Sequence, residues 1–474
     1  MVNRILIRLK VVQMLYAYLL TRTEFKIETN PDLSSSDKKF AFSAYINLLA
    51  LLLHMTGQYP NISKSQIHKK LADSALAKTL FSDSELKKLI LKTAVTQHDI
   101  VKTAEALRAA VTESSAFKEY SRKRKITLED EINLWKILFR TTIISHPELT
   151  SFLKNIEGYS TVGRQMALDK LMSTFDSYFD ARNGYMTALK NLQRSLDQSY
   201  KLYLSIFVLI VRLTQTRAEQ LETAKNKYLA TDEDKNPNTR FIDNEFAAKL
   251  ADSAELQDYI KNYAIDWVDD PSMLNALLDT IIESKVYQDY MNAPSTDWQT
   301  DCEFWRMLLR TVVFHSDEFA DAIEADSVYW NDDLHIVGTF VLKSIRIDAQ
   351  NYDKKPEFLP QFKDEEDSRF GAELFSDVVK NRDEYYKYIE RFIDTRNWES
   401  DRIAFMDVII VLCAISEIIN FANIPLAVSF NEYIEIANLY SSTKSGQFIN
   451  GILYNICGAL REEGVIFKDT DVKQ

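Results

Sequence analysis

Along most of this chain apolar residues recur three and four positions apart, the spacing of one face of a helix. Leu134, Ile137, Leu138 and Thr141 form one such series, and Phe304, Met307, Leu308 and Thr311 form another. Apolar runs such as Val408 to Ile415 and Ile206 to Val211 are too short to span a bilayer. Only 10 Gly and 9 Pro are spread over 474 residues, which leaves too few turns for an all-β or doubly wound α/β fold. The pattern predicts an all-α protein of long helices.

The sequence also repeats itself. Glu113-Ser-Ser-Ala-Phe-Lys-Glu-Tyr120 returns as Glu283-Ser-Lys-Val-Tyr-Gln-Asp-Tyr290, and Trp135-Lys-Ile-Leu-Phe-Arg-Thr141 returns as Trp305-Arg-Met-Leu-Leu-Arg-Thr311, both 170 positions later. Upstream, Tyr45-Ile-Asn-Leu-Leu and Thr56 correspond to Tyr203-Leu-Ser-Ile-Phe and Thr214 at an offset of 158, so the second copy carries an extra stretch, assigned to the polar loop Ala230 to Thr239. The chain divides into an N-terminal helix (1–35), repeat A (36–185), repeat B (186–350), and a linker with a C-terminal region (351–474). A fainter echo sets Trp298-Gln-Thr-Asp301 beside Trp398-Glu-Ser-Asp401. Arg140 and Arg310 occupy equivalent places in the two repeats; each is read as holding a carboxylate within its own module.

Composition narrows the function. At 46% hydrophobic and 27% charged residues the chain is globular, with enough length for several cores. With 57 Lys+Arg against 69 Asp+Glu, a net charge of -12 argues against coating nucleic acid over the whole surface and leaves room for a local basic site. Cys302, Cys413 and Cys457 are far apart and lie in apolar stretches, as expected of reduced core residues. Residues 1 to 10 alternate charge with apolar side chains and spell no signal-peptide core. A cytoplasmic protein with no membrane association is expected.

Chemistry is not spelled out. Ser441-Ser-Thr-Lys-Ser-Gly446 lacks the first glycine and the Gly-Lys-Ser/Thr ending of a phosphate-binding loop. The six histidines never stand at metal-ligand spacing, and His335, in Asn331-Asp-Asp-Leu-His335, reads as part of a solvated loop. No nucleophile elbow or Cys-His pairing appears. The expectation is a protein that is not an enzyme and needs no cofactor or metal.

Two segments say more. On a helix turning about 100° per residue, Arg4, Arg8 and Arg22 lie within roughly 40° of one another. They flank an apolar face of Ile5, Leu9, Val12, Tyr16 and Leu19. Guanidinium groups one turn apart can each grip a phosphate, and a solvated helix edge is the plainer alternative. In the C-terminal region, Ser429-Phe-Asn-Glu432 reads as a capping box opening a helix, Ser442 or Thr443 as the cap of the next, and Gly464 as its end. Phe448, Ile449, Ile452, Leu453 and Ile456 form the apolar stripe of that last helix. Gly451 within it implies close backbone approach, by a packed helix or a docked partner.

Taken together, the two ends resemble the NusB family of transcription antitermination factors. Arg8-Leu-Lys-Val-Val-Gln-Met-Leu-Tyr16 is similar to the family's opening helix. Trp398-x-x-Asp401-Arg402-Ile403 with Asp407, Ile424-Pro425, Asn431-Glu432-Tyr-Ile-Glu435-Ile-Ala437 and Ser445-x-x-Phe448-Ile-Asn450-Gly451 follow the family pattern without a gap from Asp401 to Gly451. The repeats lie outside this core and resemble a helical insertion, here duplicated.

The resemblance implies an all-helical fold of two three-helix units. It implies binding of single-stranded boxA-like RNA of ribosomal RNA transcripts, together with the NusE ribosomal protein, in the transcription elongation complex. It assigns Arg4, Arg8, Lys10, Gln13, Ser445, Phe448 and Asn450 to RNA, and Tyr16 and Asp407 to NusE. The chain departs from the family in its sparser N-terminal arginines, in Val411-Leu412 after Asp407, and in Lys444 where an acidic residue is common. A rival reading is a protein-interaction scaffold that keeps the fold without RNA binding. The two differ at the basic edge: RNA binding needs Arg4 and Arg8 exposed beside Phe448, whereas a scaffold allows them to be paired with acidic side chains of the insertion.

Overall fold

The computed structural model describes residues 2–29, 31–59, 67–93, 97–327, 330, 332–351, 353–393, 404–440 and 445–466. Every regular element among them is helical, as the apolar spacing predicts. Helices begin where the sequence supplies an oxygen for the first free amides. Asn3 opens α1 (Arg4–Thr21), its side chain accepting from the Leu6 amide at 3.0 Å. Ser35 opens α2 (Ser36–Met55), and Thr127 with Asp130 forms a reciprocal capping box at α3 (Leu128–Ile137). Among the described residues no helix is long and apolar enough to cross a membrane.

The duplication reappears in the hydrogen bonds. Tyr45 and Thr174 share a hydroxyl bond of 2.7 Å, and Tyr203 and Ser344 share one of 2.7 Å at the corresponding place. Ser74 and Asn244 cap equivalent short helices. Each of those helix starts also donates an amide to a buried carboxylate from the Trp135 or Trp305 helix, Leu76 to Glu131 and Glu245 to Asp301. A carboxylate there opposes the positive end of the helix dipole. The unbroken helix α4 (Thr161–Lys225, 65 residues) carries both Thr174 and Tyr203, so the boundary between the repeats falls inside a helix.

The chain forms two compact units, Tyr18–Ala188, and Met1–Ala17 with Leu189–Gln474. The first is built on a core that includes Phe40, Tyr45, Leu49, Trp135, Phe139 and Phe175. The second contains α5 (Trp298–Thr311), α6 (Leu334–Asp348), α7 (Glu365–Phe392), α8 (Phe405–Asn420), α9 (Leu426–Tyr440) and α10 (Ser445–Glu462). Helix α8 is apolar all round, and every residue from Ile409 to Ile418 is buried, with α7, α9 and α10 packed about it. The start of α1 joins this group. A Cβ on Gly371 of α7 would lie 2.9 Å from the Ile7 side chain, so the absence of one lets α1 and α7 approach.

Several local expectations are corrected. Leu134 and Leu138 are buried, but Ile137 and Thr141 face solvent, because the buried stripe runs through Trp135, Leu138 and Phe139 and the helix widens to a π-helix over Leu138–Ile143. Arg140 and Arg310 hold no carboxylate: both are exposed and make no ion pair among the described residues. Ser429 caps nothing. Helix α9 starts earlier, at Leu426 after Pro425, and the Ser429 hydroxyl lies buried inside it. His335 stands in the first turn of α6 and is exposed. Gly464 has φ of 69° just past the end of α10, in keeping with its expected place. The three cysteines are free and buried. Trp398, Asp401, Arg402, Ile403, Ser442, Thr443 and Lys444 lie outside the described residues, and with them the echo around Trp398.

Candidate nucleic-acid interface

The N-terminal basic edge is built on α1, and its side chains are already engaged. Arg4, one quarter exposed, donates from Nε to Asp367 at 2.7 Å and from Nη2 to Glu366 at 2.9 Å. Arg8 is 2% exposed; its Nε meets Glu417 Oε2 at 2.7 Å and its Nη2 meets Glu417 Oε1 at 3.0 Å. The Phe370 ring of α7 lies under both guanidinium groups, 5.3 Å from Arg4 and 5.5 Å from Arg8. Lys10, also buried, pairs with Asp333 at 2.6 Å, and the Ser199 hydroxyl donates to the same carboxylate at 2.6 Å. Gln13 donates to Asp332 at 3.1 Å and to the Tyr440 hydroxyl at 2.9 Å.

Glu417 is the keystone that sequence reasoning missed. It is fully buried, and each oxygen accepts twice: Oε1 from Arg8 and Ser429, Oε2 from Arg8 and Tyr433. A carboxylate that accepts at four points leaves neither oxygen unpaired in an apolar surround. Burial alone pulls the Arg8 guanidinium down, but the hydrogen bonds and charge of Glu417 outweigh it and leave the group above the ordinary arginine value. Burial pushes Glu432, 3.9 Å from Arg8, up from the usual carboxylate range despite that cation. Asp333 is raised by burial in the same way, against the pull of Lys10. The signal was present in the sequence: Glu417 is the one charge in the apolar series Ile409 to Ile418.

The exposed basic edge is therefore corrected. Arg8 and Lys10 point inward because each finds a carboxylate, and Ile5, assigned to the apolar face, is exposed instead. Of the C-terminal residues, Ser445 is buried and donates to Asp407 at 3.0 Å, tying the start of α10 to α8. Asp407 is only 6% exposed where it accepts this bond. Tyr16 is half-buried against Phe405, with ring centroids 5.6 Å apart. Phe448 is half-buried and Asn450 exposed. A Cβ on Gly451 would meet nothing within 4 Å among the described residues, so no described helix requires that glycine.

Comparison with known proteins fits this arrangement. The family model described as the NusB family matches residues 339–457, from within α6 to within α10. The transcription antitermination protein NusB of Bacillus pumilus is 33% identical over 118 residues, which are 25% of this chain and 88% of that protein. The chain belongs to the NusB family. The NusB proteins of Salinibacter ruber and Chloroherpeton thalassium are 37% and 35% identical over 99 residues, 21% of this chain and 61% and 46% of theirs. No solved structure matches. The NusB match begins at residue 339, so the helix that closes repeat B, α6, also carries the start of the family segment, and α1 with the residues between it and that point lies outside the match.

Proposed function

We propose that this NusB-family chain acts in transcription antitermination as a non-catalytic binding factor, engaging boxA-type RNA together with NusE. The observation that carries the reading is the match to nearly the full length of a relative named for antitermination, in a segment onto which α1 is locked by the Arg8–Glu417 pair. In this reading RNA is met by Arg4, the most exposed cation of the α1 edge, with Phe448 and Asn450 on α10. Arg8, Lys10, Gln13 and Ser445 hold those elements in place, and Tyr16 faces NusE while Asp407 sets the start of α10.

A second reading has an observation in its favour. Because Arg8 and Lys10 are buried against Glu417 and Asp333, few phosphate contacts remain at this edge, as a scaffold that does not bind RNA would require. Titration of labelled boxA-type RNA, with and without NusE, separates the two. Binding that NusE strengthens, and that Arg4→Ala and Phe448→Ala each weaken by about 3- to 10-fold, supports the antitermination reading. No binding by the folded protein in either condition favours the scaffold.

A further inference from the structure

The two repeats share a fold but not a surface charge. Helices α5 and α6 run antiparallel: Trp298 Nε1 donates to the Asp348 carbonyl at 2.8 Å, and a Cβ on Gly338 would strike Phe314. This register sets Arg306, Met307 and Arg310 of α5 beside Arg346, Lys343 and Thr339 of α6. Arg310, Lys343 and Arg346 are exposed, and Arg310 and Lys343 make no ion pair among the described residues. Glu303 is the one exposed carboxylate on these two helices, and Arg306 holds it through two hydrogen bonds, Nε at 2.7 Å and Nη2 at 2.5 Å. Glu303 is drawn down from the usual carboxylate range first by its hydrogen bond to Arg306 and also by the nearby charge of Arg346, and against this one carboxylate the two helices set four cations, a net excess of three positive charges in a chain whose net charge is -12.

Repeat A is the internal control. The positions equivalent to Arg306, Arg310, Thr339, Lys343 and Arg346 are Lys136, Arg140, Asp169, Ser173 and Asp176. There Lys136 is paired with Asp176, and Asp169 adds a second negative charge, so the same five positions carry two cations and two carboxylates. Two of the cations, at the places of Lys136 and Arg140, are common to both repeats; Lys343 and Arg346 are particular to repeat B, where repeat A has Ser173 and Asp176, so the net positive face is found in repeat B only.

We propose that the α5/α6 face of repeat B is an anion-binding surface for an RNA backbone, separate from the α1 edge. Exposed guanidinium and ammonium groups about one turn apart suit successive phosphates and read no base sequence. The choice of RNA over another polyanion rests on the antitermination reading; the cationic face itself does not.

The test is fluorescence anisotropy of the full chain with a labelled single-stranded RNA that lacks boxA, at 50 and 200 mM salt. Three phosphate contacts predict a loss of affinity of about 20-fold over that range, and Arg310→Gln/Lys343→Gln/Arg346→Gln removes most of both the binding and the salt dependence. Arg140→Gln, at the equivalent place in repeat A, leaves binding unchanged. The proposal is overturned if the folded triple variant binds like the parent, if Arg140→Gln weakens binding equally, or if only an acidic protein mimic such as polyglutamate binds this face. Failure of the antitermination reading looks different, since it removes the boxA- and NusE-dependent component and leaves this one.

Discussion

Arg8 and Glu417, 409 positions apart in the sequence, form a two-point ion pair with both side chains out of contact with solvent. The pair closes the distance between the first helix and the family segment, and it explains how a chain can carry a long insertion between two parts of one core. Only α1 need return to α8; what lies between is free to be long, because loop-closure entropy grows slowly with length.

Removing one partner strands a buried charge. Arg8→Ala and Glu417→Gln are each expected to destabilise the second unit by about 3–5 kcal/mol. The apolar double replacement Arg8→Met/Glu417→Leu recovers most of that loss, since no charge is left uncompensated. Urea unfolding followed by circular dichroism measures all three; single variants within 1 kcal/mol of the parent would remove the keystone role.

Asp348 predicts a pH dependence. It is buried, its Oδ2 has no partner among the described residues, and burial raises its carboxyl to about 7, with only the Glu357 amide at 3.0 Å pulling the other way. The folded value lies above the unfolded one, so the folded state binds the proton more tightly. This contribution is full below about pH 4 and declines by about 1.4 kcal/mol per unit as pH rises towards 7. Asp348→Asn keeps an acceptor for the Glu357 amide and cannot ionise. Melting curves from pH 5 to 8 should fall more steeply for the parent than for the variant; parallel curves would show that Asp348 does not carry the effect.

The helical class, the duplication and the C-terminal family segment were legible because they rest on spacing: apolar period, a fixed offset of 170 between two tryptophan motifs, and an ungapped run to Gly451. Side-chain direction was not legible. Arg8 has the same spacing from Arg4 whether it faces water or Glu417, and only the tertiary partner decides. Ser429 and Glu432 match a capping box by sequence, yet Pro425 starts the helix a turn earlier and turns the serine into a donor to Glu417. Arg140 and Arg310 were misread for the opposite reason: being alike in two copies suggested a shared structural bond, whereas both proved exposed.

The glycines give opposite predictions from the same substitution. Gly371 is buried where α7 meets α1, and an added methyl would lie 2.9 Å from Ile7 and 3.7 Å from Leu196 and Val11, so Gly371→Ala overpacks the contact at a cost of about 1–3 kcal/mol. Gly451 sits exposed in the interior of α10 with nothing within 4 Å, so Gly451→Ala gains about 1 kcal/mol from helix propensity. With no described neighbour at that face, a need for close approach at Gly451 would have to come from a docked partner. Stability and partner binding measured on the same variant decide it: Gly451→Ala that is more stable but binds RNA or NusE more weakly assigns the glycine to docking, whereas a gain in stability with unchanged binding leaves it without a role there.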